Sequence, residues 1–346
     1  MMSIQKAKSL SPGQRAWLRF KANRRGYVSL WIFSLLFVLC FFAEVISNDK
    51  PLLVKYEGDY YFPVVKVYPE TTFGGDFETE ADYTDSFVRE QLSRDGNWMV
   101  EPFNPYSYDT INFFSALPNP APPSGQNYFG TDDRGRDVLA RVIYGFRISV
   151  WFALALMVIG VFIGIIAGAV QGYFSGKTDL IMQRVIEVWS SMPELYLLII
   201  FASIFQPSIW LLIILLSLFG WMGLSDYVRA EFLRGRNLDY VRSARAMGLS
   251  NFTIISRHLL PNSLTPVITF LPFRISGAIL ALTSLDFLGL GVPPTTPSLG
   301  ELLAQGKENI EAWWLSLSAF VVLVGTLMLL IFIGEALREA MDTRRQ

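Results

Sequence analysis

Few side chains in this 346-residue chain have the type and spacing for chemistry. Gly172–Thr178 reads GYFSGKT and invites a phosphate-binding reading. A phosphate loop needs four residues between its glycines, and it joins a strand to a helix so that backbone N–H groups face the phosphates. Only three residues separate Gly172 from Gly176, and the stretch follows a long apolar run. It reads as a short turn, and no nucleotide site is expected in this chain. His258 is the sole histidine, which excludes a multi-histidine metal site. Cys40 is the sole cysteine and lies in an apolar run, so it forms no intrachain disulfide and has no base beside it. No catalytic residue, metal or resident cofactor is expected. Asn251-Phe252-Thr253 fits a glycosylation sequon, which the topology below makes a chance match.

Arg274 is a different case. It falls inside an apolar run, roughly 15 Å into a helix rising about 1.5 Å per residue. A charge at that depth faces protein or a watery cavity. It either lines a solute path or serves as a structural ion pair or snorkelling side chain.

The elements that must hold these residues are membrane helices. The chain is 52% hydrophobic and only 17% charged, against about 25% charged in soluble domains. Spans of about 20 apolar residues are read at Val28–Ile46, Ile148–Tyr173, Trp210–Tyr227, Leu264–Leu290 and Trp314–Gly334. Another span starts near Leu180, includes Glu187, Pro193 and Glu194, and ends at a turn at Gln206-Pro207-Ser208. The fold class is therefore an all-α polytopic membrane protein with six transmembrane helices. Val28–Ile46 exceeds the length of a secretory h-region, so it reads as an anchor.

Residues 1–27 carry seven basic residues and no acid, and should stay cytoplasmic. Six crossings then place 48–146 outside, 228–263 inside and the C-terminus inside. The inner segment holds Arg229, Arg234, Arg236, Arg242, Arg245 and Arg257, and the tail Arg338, Arg344 and Arg345. The outer segment is acidic, with Asp76, Glu78, Glu80, Asp82 and Asp85. Charge was not used to set the spans, so this agreement is an independent check. Glu187 and Glu194 are expected at the headgroup level or against other subunits.

The domain reading has a cytoplasmic N-terminus (1–27), a first helix (28–47), an extracytoplasmic insertion (48–129) and a core (130–346). The insertion is too long for an ordinary loop, and is either a small subdomain or a partly ordered loop. Its proline cluster, PNPAPP at 118–123, is expected to be an extended linker. Gly160, Gly164, Gly168 and Gly172 share one helix face. Such a face packs another helix closely, either in this chain or at a subunit interface or path.

One polar stretch stands between the apolar runs: YVRSARAMGLSNFTIISRHLLPNSLTP, 240–266. Asn237 or Asp239 could cap a short helix running through Ala244. Ala244 is small enough for a partner to approach closely. Gly248 permits the left-handed residue that ends a helix. A second helix from about Asn251 would put Phe252, Ile255 and Leu259 on one side and stop at Pro261. Its residues fit a docking hairpin or a basic interfacial helix held by anionic lipid.

The spacing of this stretch, roughly 235–263, resembles the EAA loop of permease subunits of binding-protein-dependent ABC importers. The pattern lands on Arg242-Ser243-Ala244, Gly248, His258 and Leu260-Pro261, with Arg242 in place of glutamate. Two further runs resemble the dipeptide and oligopeptide permeases. One is Gly130-Thr131-Asp132, Gly135-Arg136-Asp137 and the following VLARVIYGFRIS; the other is TSLDFLGLGVPP at 283–294 with the following Pro297-Ser298-Leu299-Gly300. The N-terminal FKANRRGYVSLWIF and the aromatic insertion resemble the YejE-type subgroup that serves peptide and microcin C importers.

The resemblance implies a type I permease fold in a bacterial inner membrane. It implies a second, homologous permease as heterodimer partner, ATPase subunits (two domains or one fused chain) that use ATP and Mg, an extracytoplasmic solute-binding protein, and a peptide substrate. Membrane lipid is expected around the chain and no nucleic acid. Arg242, Ala244, Arg245, Gly248, Leu260 and Pro261 would couple to the ATPase, and Arg274 is the candidate path residue. The rival is a proton-coupled secondary transporter, which would need a carboxylate or histidine relay near the midplane.

Overall fold

The computed structural model describes residues 11–94, 96–112 and 117–342. The basic residues before position 11, and Arg344 and Arg345, lie outside the described residues. In chain order the helices open with α1 (Pro12–Ala22), α2 (Arg24–Phe41) and α3 (Ala43–Ile46). Strands β1 (Leu53–Tyr56) and β2 (Asp59–Tyr61), helix α4 (Ser86–Leu92) and strand β3 (Trp98–Val100) follow. Then come α5 (Val138–Phe174), α6 (Gly176–Ser190), α7 (Glu194–Ile204), α8 (Ile209–Gly220) and α9 (Met222–Gly235). The rest are α10 (Asp239–Ala246), α11 (Asn251–Thr253), α12 (Leu260–Phe287), α13 (Leu299–Glu308) and α14 (Trp313–Met341).

Among the described residues, five helical stretches are long and apolar enough to cross a membrane. A sixth crossing arises if the pair α6 and α7 counts as one span. That pair corrects the expected continuous third helix, because it bends by 65° at its break. Pro193 lacks an N–H and disfavours helical conformation in the residue before it. The chain therefore restarts with Pro193 as the N-cap residue of α7. The turn expected at Gln206–Ser208 is present, and the Ser208 hydroxyl accepts from the Leu211 N–H at 3.2 Å to start α8.

The chain divides into two compact units. The first comprises Met1–Ser34, Trp151–Ala281 and Gly325–Gln346. Its glycine face on α5 packs against the α8–α9 stretch of the same chain. A Cβ on Gly168 would stand 2.5 Å from the Ser225 carbonyl oxygen, and one on Gly172 2.6 Å from that of Arg229. Backbone cannot yield as a side-chain tip can, so these glycines set the helix separation. Gln171 sits on the same seam, fully buried, and its amide donates to the Ser225 hydroxyl at 2.9 Å. Gly168→Val should therefore cost at least the ~1–3 kcal/mol of an overpacked core. Thermal unfolding of the detergent-purified protein would show it, whereas Gly223→Ala, with open space around its Cβ, should be nearly neutral.

The second unit comprises Leu35–Val150 and Leu282–Val324. Within it the insertion is a folded subdomain and not a loose loop. Its sheet has the order β2-β1-β3, all antiparallel, with Val54 opposite Tyr61 and Met99. Phe73 is fully buried and meets the rings of Tyr56, Tyr61, Tyr68 and Tyr83 edge-on. The aromatic-rich sequence thus supplies a core where no long apolar run exists. The proline cluster is not a free linker. The Thr131 N–H donates to the Ala121 carbonyl, and the Thr131 hydroxyl accepts from the Ala121 N–H and donates to Asn119.

Candidate functional site

The polar stretch forms a short helix, a turn and a return helix. Neither expected side chain caps α10. Leu238 is the N-cap residue, Asn237 bonds back to the Leu233 carbonyl, and Asp239 lies in the first turn, where the helix dipole favours it. Gly248 takes the expected left-handed conformation, with φ +78°. The Leu249 N–H bonds to Ala244 and the Gly248 N–H to Arg245, the paired bonds of a Schellman cap.

Two expectations fail here for one reason each. Ala244 does not face outward: it is 1% exposed, packed with Val241, Tyr173, Phe232, Ile254 and Leu259. Its small size serves packing inside the chain. Pro261 does not end the return helix, which runs unbroken over Asn251–Phe287. Ile254–Leu259 is a π-helical turn, and the Leu260 N–H bonds to Ile255, five residues back. The wider turn gives the proline ring room beside carbonyls that it would otherwise strike. It also moves the buried pair to Ile254 and Leu259, five residues apart, and leaves Phe252 outside.

The outer surface of this loop is apolar and basic. Phe252 is 79% exposed and Met247 73%. Arg242, Arg245 and Arg257 are also exposed, and Arg245 lies over the Tyr173 ring at 5.4 Å. Leu260 is half-buried and Pro261 exposed.

The second motif is a buried ion cluster. Asp132, Asp137 and Arg141 are fully buried and Arg136 is 4% exposed. Asp132 accepts the Arg134 and Arg136 N–H groups at 2.9 Å through one oxygen and the Arg136 Nε at 2.7 Å through the other. Gly130 and Gly135 turn the chain with positive φ. Arg136 reaches Glu301 at 3.2 Å and the Pro294 carbonyl at 2.8 Å. Arg141 also pairs with Glu301. Asp137 caps α5 through the Ala140 N–H at 2.8 Å, and its carboxylate is held by Asn104 and Asn127. Burial pushes the Asp137 carboxyl above its ordinary value, and these hydrogen bonds pull it back. The Thr131 carbonyl accepts from the Trp314 indole at 3.1 Å.

Arg274 lines a cavity of about 590 Å³ in the first unit. Its guanidinium donates to the Gly220 carbonyl and makes no ion pair among the described residues. Glu194, an exposed residue, lines the same cavity. GYFSGKT spans the end of α5 and the start of α6, with Ser175 and Gly176 in the turn.

The family described as binding-protein-dependent transport system inner membrane component matches residues 160–346, more than half of the chain. The chain belongs to this family. Residues 11–62 also match the N-terminal transmembrane domain of oligopeptide transport permease C. The permease is 52% identical to the inner membrane ABC transporter permease protein YejE of Escherichia coli K12, over 97% of this chain and 98% of the relative. It is 50% identical to the Agrobacterium fabrum peptidoglycan transport system permease protein YejE, over 96% and 93%. It is 37% identical to the oligopeptide permease OppC of Haemophilus influenzae, over 70% and 78%. A solved inward-facing structure of the MetNI methionine ABC transporter has the same fold. It gives a TM-score of 0.50 and 16% identity, over 59% of this permease and 97% of that chain. The permease is thus a membrane-spanning subunit of the ABC peptide-importer class.

Sequence reasoning missed Glu301, Asn104, Asn127 and the cavity place of Glu194. Only Glu301 carried a local signal, because it directly follows the Pro297-Ser-Leu-Gly300 run of the permease motif.

Proposed function

We propose that this chain is one half of the translocation path of an ATP-driven peptide importer and that its 235–263 loop couples it to an ATPase. The exposed Phe252 and Met247, on a loop that also exposes Arg242, Arg245 and Arg257 and whose inner side is packed, carry this reading. An apolar anchor with a charged rim is the usual composition of a protein interface. A basic helix held by lipid would turn one continuous apolar stripe to the membrane. Here the best apolar residues, Ile254 and Leu259, face inward instead.

In this scheme the loop and both termini are cytoplasmic, and the insertion is extracytoplasmic and meets a solute-binding protein. A second, homologous permease completes the path, and the ATPase partners, two domains or one fused chain, bind ATP with Mg. Closure of the ATPases draws the loops together and reorients the permease pair. The Arg274 cavity lies on the path. No residue of this chain makes or breaks a bond. A proton-coupled transporter would need a midplane carboxylate or histidine relay, and membership in the ABC permease family speaks against that rival.

Purification from native membranes should bring down a second permease and an ATPase. Gly277 lines the cavity and has open space around its Cβ. Gly277→Trp should therefore stop peptide uptake while the ATPase stays bound. A chain that purifies alone and transports on a proton gradient without ATP would overturn the scheme.

A further inference from the structure

Two opposite charges share the Arg274 cavity without neutralising each other. Arg274 uses a single guanidinium donor, on a backbone carbonyl, and its Nε is buried without a hydrogen-bond partner. Arginine offers five donors in a fixed fork that matches a carboxylate, so most of this fork is free. Glu194 stands in the first turn of α7, where the helix dipole favours a negative charge. It makes no hydrogen bond or ion pair among the described residues. No ion pair joins it to Arg274. Unpaired charges within membrane-spanning segments are costly and persist where a ligand or partner meets them. The rest of the wall suits a ligand of variable shape. Met157, Met192 and Met222 contribute flexible thioethers that repack around different side chains.

We propose that this cavity is a subsite for the two free termini of a peptide, Arg274 taking the carboxylate and Glu194 the ammonium. The proposal rests on the peptide-importer reading above and adds to it a recognition step inside the permease. Termini are the groups that all linear peptides share, so a site built on them holds many sequences while the methionines accept their side chains.

The test uses the whole importer in proteoliposomes. Its binding protein is supplied already saturated with a tripeptide, with the tripeptide's C-terminal amide or with its N-acetyl form, so that differences in capture cancel. Wild type should move the free tripeptide faster than either blocked form. Arg274→Gln should erase the preference over the amide, a change of about tenfold or more for one charge-assisted contact. It should leave the preference over the N-acetyl form intact. Arg274→Lys, which keeps the charge but loses the fork, should retain part of the preference over the amide and all of that over the N-acetyl form. Glu194→Gln should erase only the preference over the N-acetyl form. If Arg274→Gln and Glu194→Gln slow all three peptides equally, or weaken assembly with the second permease, the charges are structural and the proposal fails. A wild-type importer that hydrolyses ATP yet moves none of the three would instead overturn the peptide reading itself.

Discussion

Arg141→Met is expected to cost the folded permease about 3–5 kcal/mol, the penalty for stranding a buried charge by deleting its partner. The side chain is fully buried, paired with Glu301 and 3.6 Å from Asp132. The ion-paired groups balance: Arg136 and Arg141 face Asp132 and Glu301, while Asp137 is held by Asn104, Asn127 and the Ala140 N–H and not by a cation. Deleting one arginine leaves an unbalanced negative charge in a dry site. It also releases two backbone carbonyls, of Tyr108 and Thr296, that the guanidinium holds at 3.3 and 3.4 Å. The double variant Arg141→Met/Glu301→Met restores that balance, with Arg136 still bonded to Asp132. It should therefore be more stable than Arg141→Met alone, although it removes more contacts. Thermal unfolding of the detergent-purified protein would rank Arg141→Met, Glu301→Met and the double variant. A double variant that loses the sum of the two single losses would show that the charges are not coupled and that packing alone sets the cost.

That cluster marks how far the sequence could be read. Hydropathy alone found α5 and α14, because a long uncharged run has no other stable place in lipid. Gly248 was legible too, since a helix followed by glycine at that spacing implies a left-handed cap. Arg136 and Asp137 were visible as a motif, but their partners Glu301, Asn104 and Asn127 lie 165, 33 and 10 residues away. Local periodicity carries no information on such pairs. Pro261 misled for a sharper reason. The rule that proline stops a helix assumes bonds four residues back, and the π turn at Ile254–Leu259 changes that register. The same turn separates the three residues expected on one side: Leu259 is buried and Ile255 half-buried beside Ile254, while Phe252 is exposed. One local departure from regular geometry thus decides which residues this loop packs and which it exposes.

The exposed and packed residues of this loop give the sharpest functional contrast. Phe252→Asp should break ATPase retention and leave the permease folded. Its ring touches little of its own chain, being 79% exposed. An aromatic anchor at an interface carries about 2 kcal/mol or more, so affinity should fall about 30-fold. The new carboxylate also weakens the positive field of Arg242, Arg245 and Arg257, which would steer an acidic-rimmed partner. Met247→Asp should act in the same direction. Ala244→Asp should behave differently. It places a carboxylate among Phe232, Val241, Ile254 and Leu259, where the neighbouring Arg245 is held over the Tyr173 ring. Burying an unpaired charge there costs several kcal/mol, so both the permease fold and ATPase binding should fail together. Co-purification of the ATPase, read beside the unfolding temperature of each permease variant, separates the two cases. Full ATPase retention by Phe252→Asp and Met247→Asp together would remove this loop surface from the coupling interface. Loss of folding in Phe252→Asp would mean instead that the ring is packed by something in the permease assembly itself.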